Sequence, residues 1–336
     1  MKLSQIGELK LINILKSKFS KFPKDIIVGI GDDSAVIKTN KKKLLITSDM
    51  LVEGIHFDLS YTTPHQLGFK LITVNVSDIY AMGGKPTHFL INLSLKKDTE
   101  KKFFEDFFNG IQKAMIHYRV NLIGGDISST LKNISLSATM LGYSDKVIRR
   151  NGAKIGDKIY VSGYLGDSAC GLKILNTFKK PLLSDSGKLK DEYKKLIKTK
   201  FNSSSLPDVE YLIRRHLMPV ADNSGVNIKK ITSMIDISDG LLIDLSRLCD
   251  ESKTGARIFL DRVPLSNELL RISNLLKIPA IKIALTGGED YRLLLTSPTK
   301  INAYCIGEII KSGKELIDKN GRKINFSAVG YQHFKK

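Results

Sequence analysis

The spacing of apolar residues changes several times along this chain, and each change marks an element. Leu3, Ile6, Leu9, Leu11, Ile12, Ile14 and Leu15 fall in a helical pattern across residues 2–20. Residues 26–30 and 44–47 are apolar runs expected as strands, each running into an acid. Pro64 suits the first turn of a helix whose apolar pattern continues to Met82, where Gly83-Gly84 stops it. Residues 89–95 predict a strand, 100–117 a helix, and 120–123 and 134–143 two more strands.

The segment Arg150-Asn151-Gly152-Ala153-Lys154-Ile155-Gly156-Asp157 is turn-rich, and the pattern restarts after it. With 336 residues, more than one hydrophobic core usually spans, the chain is expected to form two domains, 1–150 and 151–336. In the second half, 158–162 predicts a strand and the glycine turn Gly163 to Ser168 feeds a helix over 169–175. The lysine- and serine-rich stretch 176–206 reads as a poorly packed surface insertion. A strand over 233–237 precedes a helix over 240–249, with Ser238 or Asp239 as its cap. Strands over 281–285, 291–296 and 304–309 are expected to complete a second sheet. Strands and helices mix in both halves, so the fold class is α/β (α+β).

Composition narrows the function classes. Apolar content of 42% and charged content of 26% are those of an ordinary globular chain. No run of 18 or more apolar residues predicts a membrane span, and an early acid with no apolar h-region argues against a secretory signal, so a cytoplasmic protein is expected. Cys170, Cys249 and Cys305 lack metal or redox spacing and read as small buried hydrophobes. The net charge of +19 is spread along the chain without nucleic-acid-binding signatures. It is expected to be a lysine-rich surface that attracts anionic substrates, with no specific nucleic acid as partner.

Against that basic background, acids recur among glycines and serines: Gly31-Asp32-Asp33-Ser34, Thr47-Ser48-Asp49, Asn75-Val76-Ser77-Asp78, Gly124-Gly125-Asp126, Asp236-Ile237-Ser238-Asp239 and Gly287-Gly288-Glu289-Asp290. Hard divalent cations take oxygen ligands, and small neighbours let phosphate and backbone approach. The pattern predicts a magnesium–phosphate site assembled from several loops. Gly68, Leu71, Asn75, Asp78 and Met82 share one face of the helix over 64–82, which sets a carboxylate in a partly buried stripe. Such an acid wants a cation, a basic partner or a structural hydrogen bond. The turn at 163–168 has the look of a phosphate cradle at a helix N-terminus, although such turns also simply begin helices. There is no G-x-x-x-x-G-K-[ST] run, no protein-kinase signature, no G-x-S-x-G and no H-E-x-x-H.

Taken together and in order, these stretches resemble the thiamine-monophosphate kinase family, within the superfamily of aminoimidazole ribonucleotide synthetase. The resemblance is carried by Gly29 to Asp33, Ser48 to Phe57, Val74 to Gly83, Leu122 to Asp126, Arg150 to Ala153, Ile235 to Leu241, Gly287 to Tyr291 and Gly330 to Phe334. It implies ATP-dependent phosphorylation of thiamine monophosphate to thiamine diphosphate, several Mg2+ ions, and a two-domain fold whose N-terminal sheets pair across a homodimer. It implies Asp33, Thr47, Ser48, Asp49, Asp78, Asp126, Asp236 and Asp239 as magnesium ligands. Gly125, Arg150, Ser238 and Tyr118 would meet ATP, and His56, Glu289 and Tyr331 the thiamine substrate. The chain departs from the family at Ile127-Ser128-Ser129, where Thr-Thr-Arg is often found, and in the lysine-rich 176–206 stretch. Other ATP-using synthetases of the superfamily are the alternative. A selenophosphate synthetase needs a reactive Cys or Sec near the N-terminus, and none lies before Cys170. The hydrogenase-maturation relatives end in a reactive Cys tail, whereas this chain ends His333-Phe334-Lys335-Lys336. A basic nucleic-acid-binding protein is the alternative from another class.

Overall fold

The structure, a computed structural model, describes residues 8–19, 21, 23–28, 36–37, 43–223 and 226–331. The chain divides into two compact units, Met1–Ile79 with Gly84–Asp145, and Tyr80–Gly83 with Lys146–Lys336. Among the described residues no helix is long and apolar enough to cross a membrane.

The first unit begins with α1 (Glu8–Lys18) and a short antiparallel pair, β1 (Ile26–Val28) and β2 (Val36–Ile37). Its main sheet comprises β3 (Leu44–Val52), β4 (Lys85–Lys96), β5 (Asn121–Thr130) and β6 (Ser135–Tyr143), in the order β3-β6-β4-β5. Only β4 and β5 run parallel in it, joined by a crossover through α3 (Lys101–Tyr118). The alternation visible in the sequence decides the faces. Phe89, Ile91, Leu93, Leu136, Ala138 and Met140 are buried, and α2 (Pro64–Ala81) lies over that side, with Ile79 against Gly142. Phe104, Phe107 and Phe108 of α3 are buried and pack ring to ring. The opposite side of β3 presents Leu44, Ile46 and Met50 at 45%, 64% and 55% exposure.

The second unit is built on a seven-stranded sheet. Its strands are β7 (Lys158–Val161), β8 (Ser233–Ile237), β9 (Gly255–Phe259), β10 (Arg292–Ser297), β11 (Tyr304–Ile310), β12 (Lys314–Ile317) and β13 (Lys323–Asn325), in the order β13-β12-β9-β11-β7-β10-β8. One core gathers Val161, Ile235, Ile237 and Leu294 of the sheet with Leu241, Leu245 and Leu248 of α7 (Leu241–Ser252). A second core holds Tyr160, Met234, Leu293 and Leu295. The remaining helices are α4 (Asp167–Phe178), α5 (Asp191–Lys198), α6 (Leu206–Leu217), α8 (Asn267–Leu275) and α9 (Ala280–Thr286).

Several elements differ from the expectation. The strand expected over 44–47 continues to Val52, so Ser48 and Asp49 lie within a strand and not in a turn after it. Likewise β5 runs through Gly124-Gly125-Asp126 to Thr130, because its parallel partner β4 is twelve residues long and carries the pairing onward. Residues expected as the strand 281–285 form α9: an apolar run this short does not declare its period, and Pro279 sits at its N-cap. The stretch 176–206 is packed, not loose. Leu182, Leu183, Ile197 and Phe201 are buried, and the lysines occupy the outer positions of an amphipathic segment.

Candidate functional site

In the first unit, strand periodicity and helix periodicity meet at one place. Thr47 and Asp49 are two residues apart on β3 and face α2, where Asn75 and Asp78 are three apart on one face. Thr47 Oγ1 donates to Asp78 Oδ2 at 2.5 Å, and the Asp49 backbone N–H donates to Asn75 Oδ1 at 3.1 Å. Asn75 is fully buried and its orientation is set by Nδ2 donating to Leu71 O at 2.9 Å. A structural asparagine therefore locks the helix against the strand, and a hydroxyl and two partly exposed carboxylates gather beside it.

Ser48 takes the other face of β3, where its hydroxyl lies 3.1 Å from Thr139 Oγ1 and 3.2 Å from Ala138 O. His56 belongs to the turn closing β3, and its Nδ1 accepts from Val52 N at 3.0 Å, which places the proton of the neutral ring on Nε2. Tyr118 is buried at the end of α3 with its hydroxyl 3.1 Å from Thr73 Oγ1. Asp126 is exposed on β5, at the sheet edge opposite β3. Three strand spacings separate those edges, about 14 Å. Before it, Gly125 has φ +148°, and a Cβ there would come within 1.8 Å of Ile91 O, so only glycine fits. Asp33 lies outside the described residues.

In the second unit the candidate residues come together on three adjoining segments. β8 is buried throughout, including Asp236 at 4% exposure, and delivers Ser238 and Asp239 at its end. The Glu289 N–H donates to Ser238 O at 2.7 Å, the Tyr291 N–H to Ile237 O at 2.9 Å, and the Tyr331 N–H to Asp239 O at 3.0 Å. Main-chain bonds thus tie Ser238, Asp239, Glu289 and Tyr331 to one another's segments. Glu289 and Tyr291 have φ of +65° and +49°, a strained backbone of the kind found at ligand sites. Arg150 stands exposed in a short 3-10 turn, with its carbonyl accepting from Ser233 Oγ at 2.8 Å and Ser252 Oγ at 2.7 Å.

The expected cap of α7 is corrected. Gly240, with φ +127°, is the N-cap, and no Ser238 or Asp239 side chain caps the helix. Asp244 reaches back instead: its Oδ2 accepts from the N–H groups of Ser238, Asp239 and Gly240 at 3.1–3.2 Å. Burial and the neighbouring Asp239 push its carboxyl up to about 6. Arg247 Nη1 donates to both Asp244 Oδ1 at 2.7 Å and Asp239 Oδ2 at 2.6 Å. Sequence reasoning missed Asp244 and Arg247. Their signal was an acid in the first helical turn with a base three residues on.

The glycine turn before α4 is already filled. Asp290, closed off from solvent, accepts from Gly166 N at 2.6 Å and Ser168 N at 3.2 Å. An internal carboxylate occupies the amides that a phosphate would use, so the turn is a structural anchor. Buried Arg215 donates to Asp290 O at 2.9 Å, and His216 Nδ1 lies 3.1 Å from both Ser168 Oγ and Glu289 Oε2.

The oxygen groups that keep partial or full exposure are the carboxylates of Asp49, Asp78, Asp126 and Asp239 and the hydroxyl-bearing Thr47. Among the described residues no group of three or more His, Cys, Asp or Glu is arranged to hold a metal ion.

Residues 31–144 match the family described as AIR synthase related protein, N-terminal domain, and residues 154–318 match its C-terminal domain. Thiamine-monophosphate kinase of Aquifex aeolicus (strain VF5) is 36% identical over 341 residues, covering 99% of this chain and all of that protein. The thiamine-monophosphate kinase of Buchnera aphidicola subsp. Schizaphis graminum is also 36% identical, over 98% of this chain and 99% of its own length. A solved structure described as AaThiL complexed with AMPPCP and TMP superposes with a TM-score of 0.75 at 35% identity, covering 99% of each chain.

Proposed function

The chain belongs to the thiamine-monophosphate kinase family, and from that premise we propose that it phosphorylates thiamine monophosphate to thiamine diphosphate, with ATP as donor and Mg2+ as cofactor. The observation that carries the reading is the joining of β3 to α2 by the Thr47–Asp78 and Asp49–Asn75 bonds, which fixes two oxygen-rich motifs as one surface. Asp33, Thr47, Ser48, Asp49, Asp78, Asp126, Asp236 and Asp239 would hold the metal ions, and Gly125, Arg150, Ser238 and Tyr118 would meet ATP. His56, Glu289 and Tyr331 would meet the thiamine moiety. Bound magnesium supplies positive charge that offsets the repulsion between two phosphate groups. The attacking oxygen belongs to the substrate's phosphate and is already anionic, so no general base is required. It bonds to the γ-phosphorus of ATP as the bond to the β-γ bridging oxygen breaks, and ADP leaves. The protein's share is alignment: the buried Asn75 and the main-chain bonds around Ser238 and Glu289 keep the contacting groups in place.

The same reading includes a cytoplasmic homodimer. Leu44, Ile46 and Met50 form an apolar sheet face suited to cover by a second copy. A coupled assay of ATP plus thiamine monophosphate, with and without magnesium, tests the activity by the appearance of thiamine diphosphate. Asp49→Asn and Asp78→Asn are each expected to abolish it; near-normal rates at saturating magnesium would reject the site assignment. Trapping a phosphorylated enzyme would reject direct transfer. Steep salt-dependent filter binding of nucleic acid without magnesium would favour the other class of function.

A further inference from the structure

We propose that Arg247 is the internal counter-cation of Asp239 in the metal-free protein, and that it releases this carboxylate when magnesium binds. The inference rests on the reading of Asp239 as a magnesium ligand. Arg247 offers the same nitrogen, Nη1, to two acids, at 2.6 Å from Asp239 Oδ2 and 2.7 Å from Asp244 Oδ1. Those acids are not equivalent. Asp244 has no solvent exposure and carries three backbone N–H donors on its other oxygen, so it cannot leave. It sits three residues before Arg247 on the same helix and forms a fixed post for the guanidinium. The Asp239 side chain is 27% exposed and open to a soluble cation. When Asp239 turns to a metal, Arg247 keeps Asp244, and no buried charge is left unpaired. Meanwhile the main chain at Asp239 stays pinned by the Asp244 carboxylate and by Tyr331 N–H. The arrangement separates two tasks: Asp244 positions the loop, and Arg247 occupies the ligand.

Magnesium binding in the unaltered protein then includes the displacement of one partly exposed ion pair. Such pairs shift an equilibrium by roughly 1.5- to 5-fold. Removing Arg247 is therefore expected to tighten magnesium binding, whereas loss of a merely structural clamp would loosen the loop and weaken it. The test is a calorimetric titration of Mg2+ into protein saturated with AMPPCP, for the unaltered chain, Arg247→Gln and Asp239→Asn. A half-saturation concentration lowered about 1.5- to 5-fold in Arg247→Gln is the expected result; an unchanged or raised one overturns the proposal. Asp239→Asn separates the two levels. If it leaves magnesium binding unaltered, Asp239 is not a ligand and the underlying reading fails. If it weakens binding while Arg247→Gln does not tighten it, only the counter-cation proposal fails. Should Arg247→Gln not fold, Arg247→Lys keeps a charge near Asp244 without the reach to bridge both acids, and it is expected to shift the midpoint in the same direction.

Discussion

Asp290 is an acid with no solvent exposure on a protein of net charge +19, and its titration should govern part of the molecule's pH response. Burial pushes its carboxyl up from 3.8 to about 7, against the lowering effects of the Gly166 and Ser168 N–H groups and of Arg215. The unfolded chain loses this proton near pH 3.8, while the folded one keeps it to about pH 7. Between those values the folded state binds more protons, so stability from this group is full below the lower value and is lost as pH rises through the upper one. Three pH units at 1.36 kcal/mol each amount to about 4 kcal/mol. Asp290→Asn removes the titration. Its single amide oxygen serves one of the two N–H donors, and the other loses its acceptor at a pH-independent cost of about 1–3 kcal/mol. The stability advantage of the unaltered chain over Asp290→Asn should therefore fall by about 3–4 kcal/mol from pH 4 to pH 7, enough to cancel or reverse it. Urea unfolding at stepped pH, with slopes checked for equality, measures this. A difference that stays level or grows with pH would show that the amides and Arg215 hold the carboxylate charged, and that burial does not dominate.

Gly125→Ala should destabilise the first unit by about 1–3 kcal/mol through collision with Ile91 O, read as a lowered Tm, and an unchanged Tm would disprove the close approach. His88 is buried, with neither ring nitrogen hydrogen-bonded among the described residues, and burial holds its pKa below 6.5 despite Asp25 at 3.6 Å. The unfolded chain then takes up its proton first, so stability contributed by neutral His88 is lost as pH falls through 6.5. His88→Leu should flatten the stability curve below that pH, and an unaltered slope would place the effect elsewhere.

What could be read from the sequence was set by how local the determinant is. Helix α2 was legible end to end, because Pro64, an eighteen-residue apolar pattern and Gly83-Gly84 are all local signals. The face carrying Asn75 and Asp78 followed from helical spacing alone. The extension of β3 through Asp49 and of β5 through Asp126 was not legible, since each depends on a neighbouring strand long enough to pair with it. Helix α9 was misread because seven residues fit either period. The link from Asp290 to the 163–168 turn was invisible, since it spans more than 120 residues and no sequence spacing encodes it.

That link also sorts the acids that made the sequence distinctive. An acid closed off from water and committed to N–H donors cannot meet a soluble cation without breaking those bonds. Asp244 and Asp290 are of this kind: Asp244 gathers the backbone amides of the turn just before its own helix, Asp290 gathers those of a loop far away in sequence, and each has a guanidinium close by. Asp49, Asp78, Asp126 and Asp239 keep partial or full exposure, on elements whose positions are fixed by other groups. The buried acids hold the loops, and the exposed acids are what the loops present. Asp236 tests this division. Its 4% exposure places it with the buried acids, while its motif places it with the ligands. If burial decides, Asp236→Asn should lower stability and leave magnesium half-saturation within about 2-fold; a shift of ten-fold or more would show that a nearly buried carboxylate at a strand end still reaches the metal.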